Sequence, residues 1–153
     1  MSRLSTPAAL LAVCGLAAIP WVGISNAAGD LTFVMSWGVL NTNPWYTLWV
    51  LEYLGATQGL ETLPRSMQLW PIALGFYIGA VVSAASGVVV EREDPRITAG
   101  LLVLSAVGSL FVWQGYRGVS GAVPLGAVAT AVVVWWFYWP AVRDVGMSNR
   151  RDN

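Results

Sequence analysis

The sequence predicts an all-α membrane protein, with four transmembrane helices and a short interfacial helix in the long first outer loop. Three observations carry that expectation. Of 153 residues, 56% are apolar and 10% charged, with mean hydropathy +0.62, where a soluble domain carries about 25% charge. Uncharged apolar runs recur between polar turns at close to the roughly 20 residues that a bilayer crossing needs. The basic residues, all arginine, fall mostly on one set of connections. The chain reads as a single integral membrane domain, 1–153.

The first helix is expected over residues 7–24, which contain no charge and carry Pro20 near their end, where a lost donor is cheapest to accommodate. Arg3 before the apolar run and Ser25-Asn26-Ala27 after it keep open the alternative of a cleaved signal peptide over residues 1–27. Cys14 reads as a small packed hydrophobe. Residues 25–66 are expected to form the outer loop, with an extended or re-entrant apolar piece over 31–40. Within it Asn43 can cap a helix and Pro44 can take its first position. That predicts a short interfacial helix over 44–54, with Trp45, Leu48, Trp49 and Leu51 apolar and a stop at Gly55.

The second helix is expected over 67–90. Gly75, Gly79, Ser83 and Gly87 recur every four residues along it, a GxxxG-like ladder. In lipid such small-xxx-small faces let helix backbones approach closely, so these four residues are the candidate helix-packing interface. A polar turn, Glu91-Arg92-Glu93-Asp94-Pro95-Arg96, leads to the third helix over 96–114, with Pro95 available to start it. The fourth is expected over 122–139, followed by a polar cytoplasmic tail, 143–153.

Short cytoplasmic segments accumulate arginine. With both termini inside, Arg3, Arg92, Arg96, Arg143, Arg150 and Arg151 are cytoplasmic and only Arg65 and Arg117 are outside, which predicts a multi-pass protein of the cell membrane in that orientation. The tryptophan-rich composition fits interfacial belts, with Trp21, Trp70 and Trp113 at outer helix ends and Trp135, Trp136 and Trp139 at the inner end.

The absences concern function. With no histidine and one cysteine, imidazole-ligated haem, histidine metal sites and an intramolecular disulfide are excluded. The expected helix centres hold no ionisable group, which argues against pumps and proton-coupled carriers. A net charge of zero gives no reason to expect a nucleic-acid partner. No nucleophile with its base, phosphate loop or metal-ligand set stands out, so no enzyme activity, metal or cofactor is expected. A candidate outer-face contact site is Asp30, Trp45, Trp49, Glu52, Arg65 and Arg117.

Asp30-Leu31-Thr32-Phe33, Trp37-Gly38, Asn41-Thr42-Asn43-Pro44-Trp45 and Trp135-Trp136 together resemble an uncharacterised haloarchaeal family of small four-helix integral membrane proteins. The resemblance implies an archaeal source and that topology, and transfers no catalytic residue. The expectation is a non-enzymatic subunit or assembly and scaffold component of a membrane complex, contacting the bilayer and a protein partner or a second copy. The alternative is a binder or passive carrier of a small apolar ligand or lipid.

Overall fold

The computed structural model describes residues 6–89, 94–118, 121–140 and 143. The turn residues Glu91, Arg92 and Glu93 and the tail beyond Arg143 lie outside the described residues. Four apolar helices form, but the first and last are shorter than expected. α1 spans Thr6–Gly15 and ends in a single 3-10 turn, Leu16–Ala18. It stops before Pro20 because the ring removes a donor and fixes φ, and the chain leaves as a strand. α4 spans Trp70–Val89 and α5 spans Pro95–Gln114. The start of α5 follows the expected chemistry, with Pro95 first and the Arg96 N–H donating to Asp94 Oδ1 at 2.9 Å. α6 spans Leu125–Val133 and continues through one π-type turn, Val134–Tyr138.

The largest correction concerns residues 22–49. In place of a loop they form a four-stranded antiparallel meander in sequential order: β1 Val22–Ser25, β2 Leu31–Val34, β3 Gly38–Thr42 and β4 Trp45–Trp49. The chain is therefore mixed, and the all-α, four-helix-bundle expectation is wrong. The expected helix over 44–54 is a strand, β4, followed by α2 over only Val50–Ala56. Asn43 and Pro44 are not cap and first helical residue. They make the β3–β4 turn through a cis peptide, with Thr42 opposite Trp45. Asn and Pro suit turns as well as helix starts, so their identity alone does not choose between the two.

Register builds the sheet's buried row. Val22 pairs with Val34, Val34 with Val39 and Val39 with Leu48, and the three valines are all buried. Paired residues share a face, so this row forms one side of the sheet at the end nearest the helices. The β1–β2 turn is fixed by Asn26, whose Oδ1 accepts the N–H groups of Ala28 and Asp30, and by Gly29 at φ +87°.

The sheet stands on one end of the helices. The β2–β3 turn carries buried Met35 and Ser36 and is tied down by two indoles. Trp37 Nε1 donates to Ala17 O at 2.9 Å, and Trp70 Nε1 donates to Met35 O at 3.0 Å. The outer edge of β1 is closed by Val123, which exchanges two main-chain hydrogen bonds with Gly23. Trp113 Nε1 donates to Ala122 O just before α6. α1 and α5 thus run toward the sheet, and α4 and α6 away from it. The expected outer belt is corrected here too, since Trp21 and Trp70 are buried in the junction while Trp135, Trp136 and Trp139 are exposed.

Among the described residues only Arg65–Val89, which adds the short α3 (Arg65–Gln68) to α4, and Pro95–Gln114 are long and apolar enough to cross a membrane; Pro7–Ala18 and Leu125–Tyr138 are shorter. The expectation of four transmembrane helices is corrected to two candidate spans.

Candidate functional site

The small-residue ladder is divided by the structure. On α4 the buried positions are Trp70, Ala73, Tyr77, Ala80 and Ala84, spaced three and four apart as in a helix seam. Part of this row faces α5, where Thr98, Leu102, Ser105, Ser109 and Val112 are buried at similar spacing, while the Tyr77 hydroxyl donates to Val13 O of α1 at 2.8 Å and Trp70 reaches the β2–β3 turn. The tightest approach is Ala73 against Gly108, where an added Cβ would overlap the Ala73 Cβ. Gly79 lies at the border of this seam, 3.4 Å from the Leu101 side chain as measured from an ideal Cβ. The hydroxyls of Ser83 and Thr98 share a hydrogen bond of 2.7 Å. Gly75 faces open space, and Gly87 is half-buried near the end of α4. Two of the four ladder residues thus meet α5, and the seam itself is made by alanines that the ladder did not single out.

The six outer-face residues are distributed over the sheet and its junction with the helices. Asp30 sits at the far tip, where Asn26 Nδ2 donates to Oδ2 at 2.8 Å and Asn43 Nδ2 donates to Oδ1 at 2.9 Å. Those amides, Asn26 foremost, hold its carboxyl below the usual carboxylate range. The three side chains join the two turns at that end. Glu52 serves its own helix, accepting the Trp49 N–H at 3.0 Å. The Trp49 ring lies 5.1 Å from that of Trp37, and Trp45 is 71% exposed.

Arg65 is exposed at the start of α3. Its neighbour Ser66 abuts Gly115, where no Cβ would fit. Arg117 lies just beyond α5, its guanidinium 4.6 Å from the centre of the Trp113 ring. Among the described residues no carboxylate pairs with Arg117 or Arg65, so the outer charges do not converge on one cleft. No group of three His, Cys, Asp or Glu gathers among the described residues in a way that could hold a metal ion.

Two surfaces were not recognised as such from the sequence, although Trp45 and Trp49 of the first were expected at an outer contact. One is β4, the sheet's open edge. It contains neither charge nor proline, and Trp45, Tyr46 and Trp49 are exposed on it; apart from the Trp49 N–H, which Glu52 caps, neither feature guards this edge against strand addition. The other is the outward side of the long helices, with Ile72, Ile78, Val82, Ile97, Val103, Leu104, Val107 and Phe111 exposed. Cys14, expected to be packed, is exposed on α1. Trp45-Tyr46-Thr47-Leu48-Trp49 shows no polar and apolar alternation that would have marked the first surface as a strand; the second follows only from knowing which helix faces pair.

A family model described as "Domain of unknown function (DUF8050)" matches residues 1–147. The chain belongs to the DUF8050 family. No curated protein matches it. Membership covers both the sheet and all the helices, so the two surfaces just described belong to one family unit.

Proposed function

We propose that this DUF8050 chain is a non-enzymatic membrane component, with its helices in lipid and its sheet outside as a docking head for a protein partner. The observation that carries the reading is the apolar outer face of α4 and α5. Twenty residues in each helix reach about 30 Å, the thickness of the hydrocarbon core. Between Trp70 and Val89, and between Ile97 and Gln114, there is no charge. Val82, at 63% exposure, typifies an outer face that in water would make an apolar patch beyond what soluble monomers tolerate. Lipid would cover it without any partner. α4 and α5 cross, and α1 and α6 lie beside them without the length to span alone.

Arginine placement supports an orientation. Arg96 and Arg143 stand at helix ends away from the sheet, and Arg65 and Arg117 at the sheet end. The described arginines are thus two against two, and the orientation with the sheet outside rests on the excess of arginine in the sequence outside residues 25–66 and 115–121.

The partner surface in this reading is β4. β1 is already covered by Val123, so β4 is the edge to which a partner strand adds. The experiment is alkaline washing of membranes, then purification of the tagged chain in mild detergent. The expected result is retention in the washed membrane and a stoichiometric second polypeptide, or a second copy, that Thr47→Pro releases. Release of the chain by the alkaline wash contradicts the membrane reading, and a partner that Thr47→Pro leaves bound contradicts the role of β4.

A further inference from the structure

The sheet-side end of α5 carries an open crevice of about 300 Å³, lined by Val107, Leu110, Phe111, Trp113, Gln114 and Arg117. We propose that it binds one anionic lipid, whose oxyanion headgroup meets Arg117 and whose chain lies along Val107, Leu110 and Phe111. The inference rests on the reading that α5 crosses a bilayer, and it names a ligand that the reading alone does not.

Three observations converge on that chemistry. The first is uncompensated charge. The Arg117 guanidinium rests on the Trp113 ring, and no carboxylate pairs with it among the described residues. Ring contact holds the side chain in place and leaves its N–H fork available, and that planar fork matches a phosphate oxyanion.

The second is polarity along the crevice. Val107, Leu110 and Phe111 precede Gln114 and Arg117 along one side of the helix, so the wall changes from apolar to polar to cationic toward the sheet. An amphiphile with an anionic head has the same order. The third is depth. Arg117 falls three residues after the end of a 20-residue apolar helix, at the level where headgroups and interfacial aromatics meet. The volume is at the low end for a ligand site and fits a headgroup with the first part of one chain. A zwitterionic lipid brings its own ammonium group toward Arg117 and matches less well.

The test is native mass spectrometry of the full chain, reconstituted with equal amounts of phosphatidylglycerol and phosphatidylcholine and released in mild detergent. The expected result is one retained phosphatidylglycerol. Arg117→Gln should cut that retention about tenfold, as loss of a charge-assisted contact implies. Arg117→Lys should keep part of it, and Arg65→Gln, at the same end but outside the crevice, should keep all of it.

Equal retention of the two lipids, or full retention in Arg117→Gln, overturns the site while leaving the membrane reading intact. Displacement of the lipid by soluble glycerol phosphate at matched concentration overturns the lipid assignment in favour of a free phosphate. Failure of the wild-type chain to float with vesicles of either composition overturns the membrane reading and the site with it.

Discussion

Between α4 and α5 the closest contacts are between very small groups, Ala73 against Gly108 and the Ser83 hydroxyl against that of Thr98. Between sheet and helices they are the largest side chains in the protein, with Trp37 and Trp70 reaching main-chain oxygens of Ala17 and Met35. The helices gain by bringing backbones close and forfeit stability when a methyl is added. The junction gains by filling space and satisfying turn carbonyls, and loses when a ring or its N–H is removed. Opposite substitutions should therefore damage the two regions.

The largest effect is expected at the seam. Gly108→Leu has no room, so the helices must separate at a cost of about 1–3 kcal/mol or more. Gly79→Leu should cost less, because only the flexible Leu101 side chain stands nearby, and Gly75→Leu should be close to neutral. Thermal melting in detergent orders the three. An equal effect at Gly75 and Gly108 would break the distinction between seam and outer face.

Next is the junction. Trp70→Phe keeps most of the ring and leaves the Met35 carbonyl unpaired in a site where Trp70 is fully buried. The expected cost is about 1–3 kcal/mol, with faster amide exchange in β2 and β3 than in α4. Uniformly faster exchange would mean that sheet and helices open together.

A smaller, pH-dependent effect comes from Tyr116, whose hydroxyl donates to Met67 Sδ at 3.3 Å. Burial pushes its pKa up from 10.0 to about 12. The folded state thus favours the neutral phenol. That contribution is intact below about pH 10 and is lost as pH rises through about 12. Melting across that window should show alkaline destabilisation that Tyr116→Phe reduces. An unchanged profile in Tyr116→Phe would assign the loss to another group.

The smallest effect belongs to Asp30. Its lowered pKa makes a contribution that is present above the unfolded carboxyl value, about 3.9, and is lost as pH falls from there through the lower folded value. Asp30→Ala should speed amide exchange in the 26–30 turn and leave α4 unchanged.

Legibility in the sequence follows the same division. The third helix was readable almost to the residue, because Asp94 and Pro95 start it and twenty apolar-rich residues follow. The strands were hidden by composition. In a chain this apolar, Leu31-Thr32-Phe33-Val34 and Gly38-Val39-Leu40 look like further membrane-seeking residues, and the alternation that marks a strand is only four or five residues long. Asn43-Pro44 was ambiguous in kind, since cap and turn use the same side chains. Of the six outer-face residues, Arg117, Trp45 and Trp49 lie at surfaces that carry a proposal. Asp30 and Glu52 serve local structure, which no spacing rule separates from binding.

The most direct test of the account is maleimide labelling of single cysteines in sealed vesicles, in a Cys14→Ser background, at Val82, Val103 and Thr47. Val82 and Val103 face outward in mid-helix and Thr47 lies on the sheet's open edge. With a membrane-impermeant reagent and the sheet outside, the account predicts rapid labelling at Thr47→Cys, and protection at Val82→Cys and Val103→Cys that ends when the vesicles are dissolved. Labelling of all three at one rate in intact vesicles would put the helices in water and contradict it.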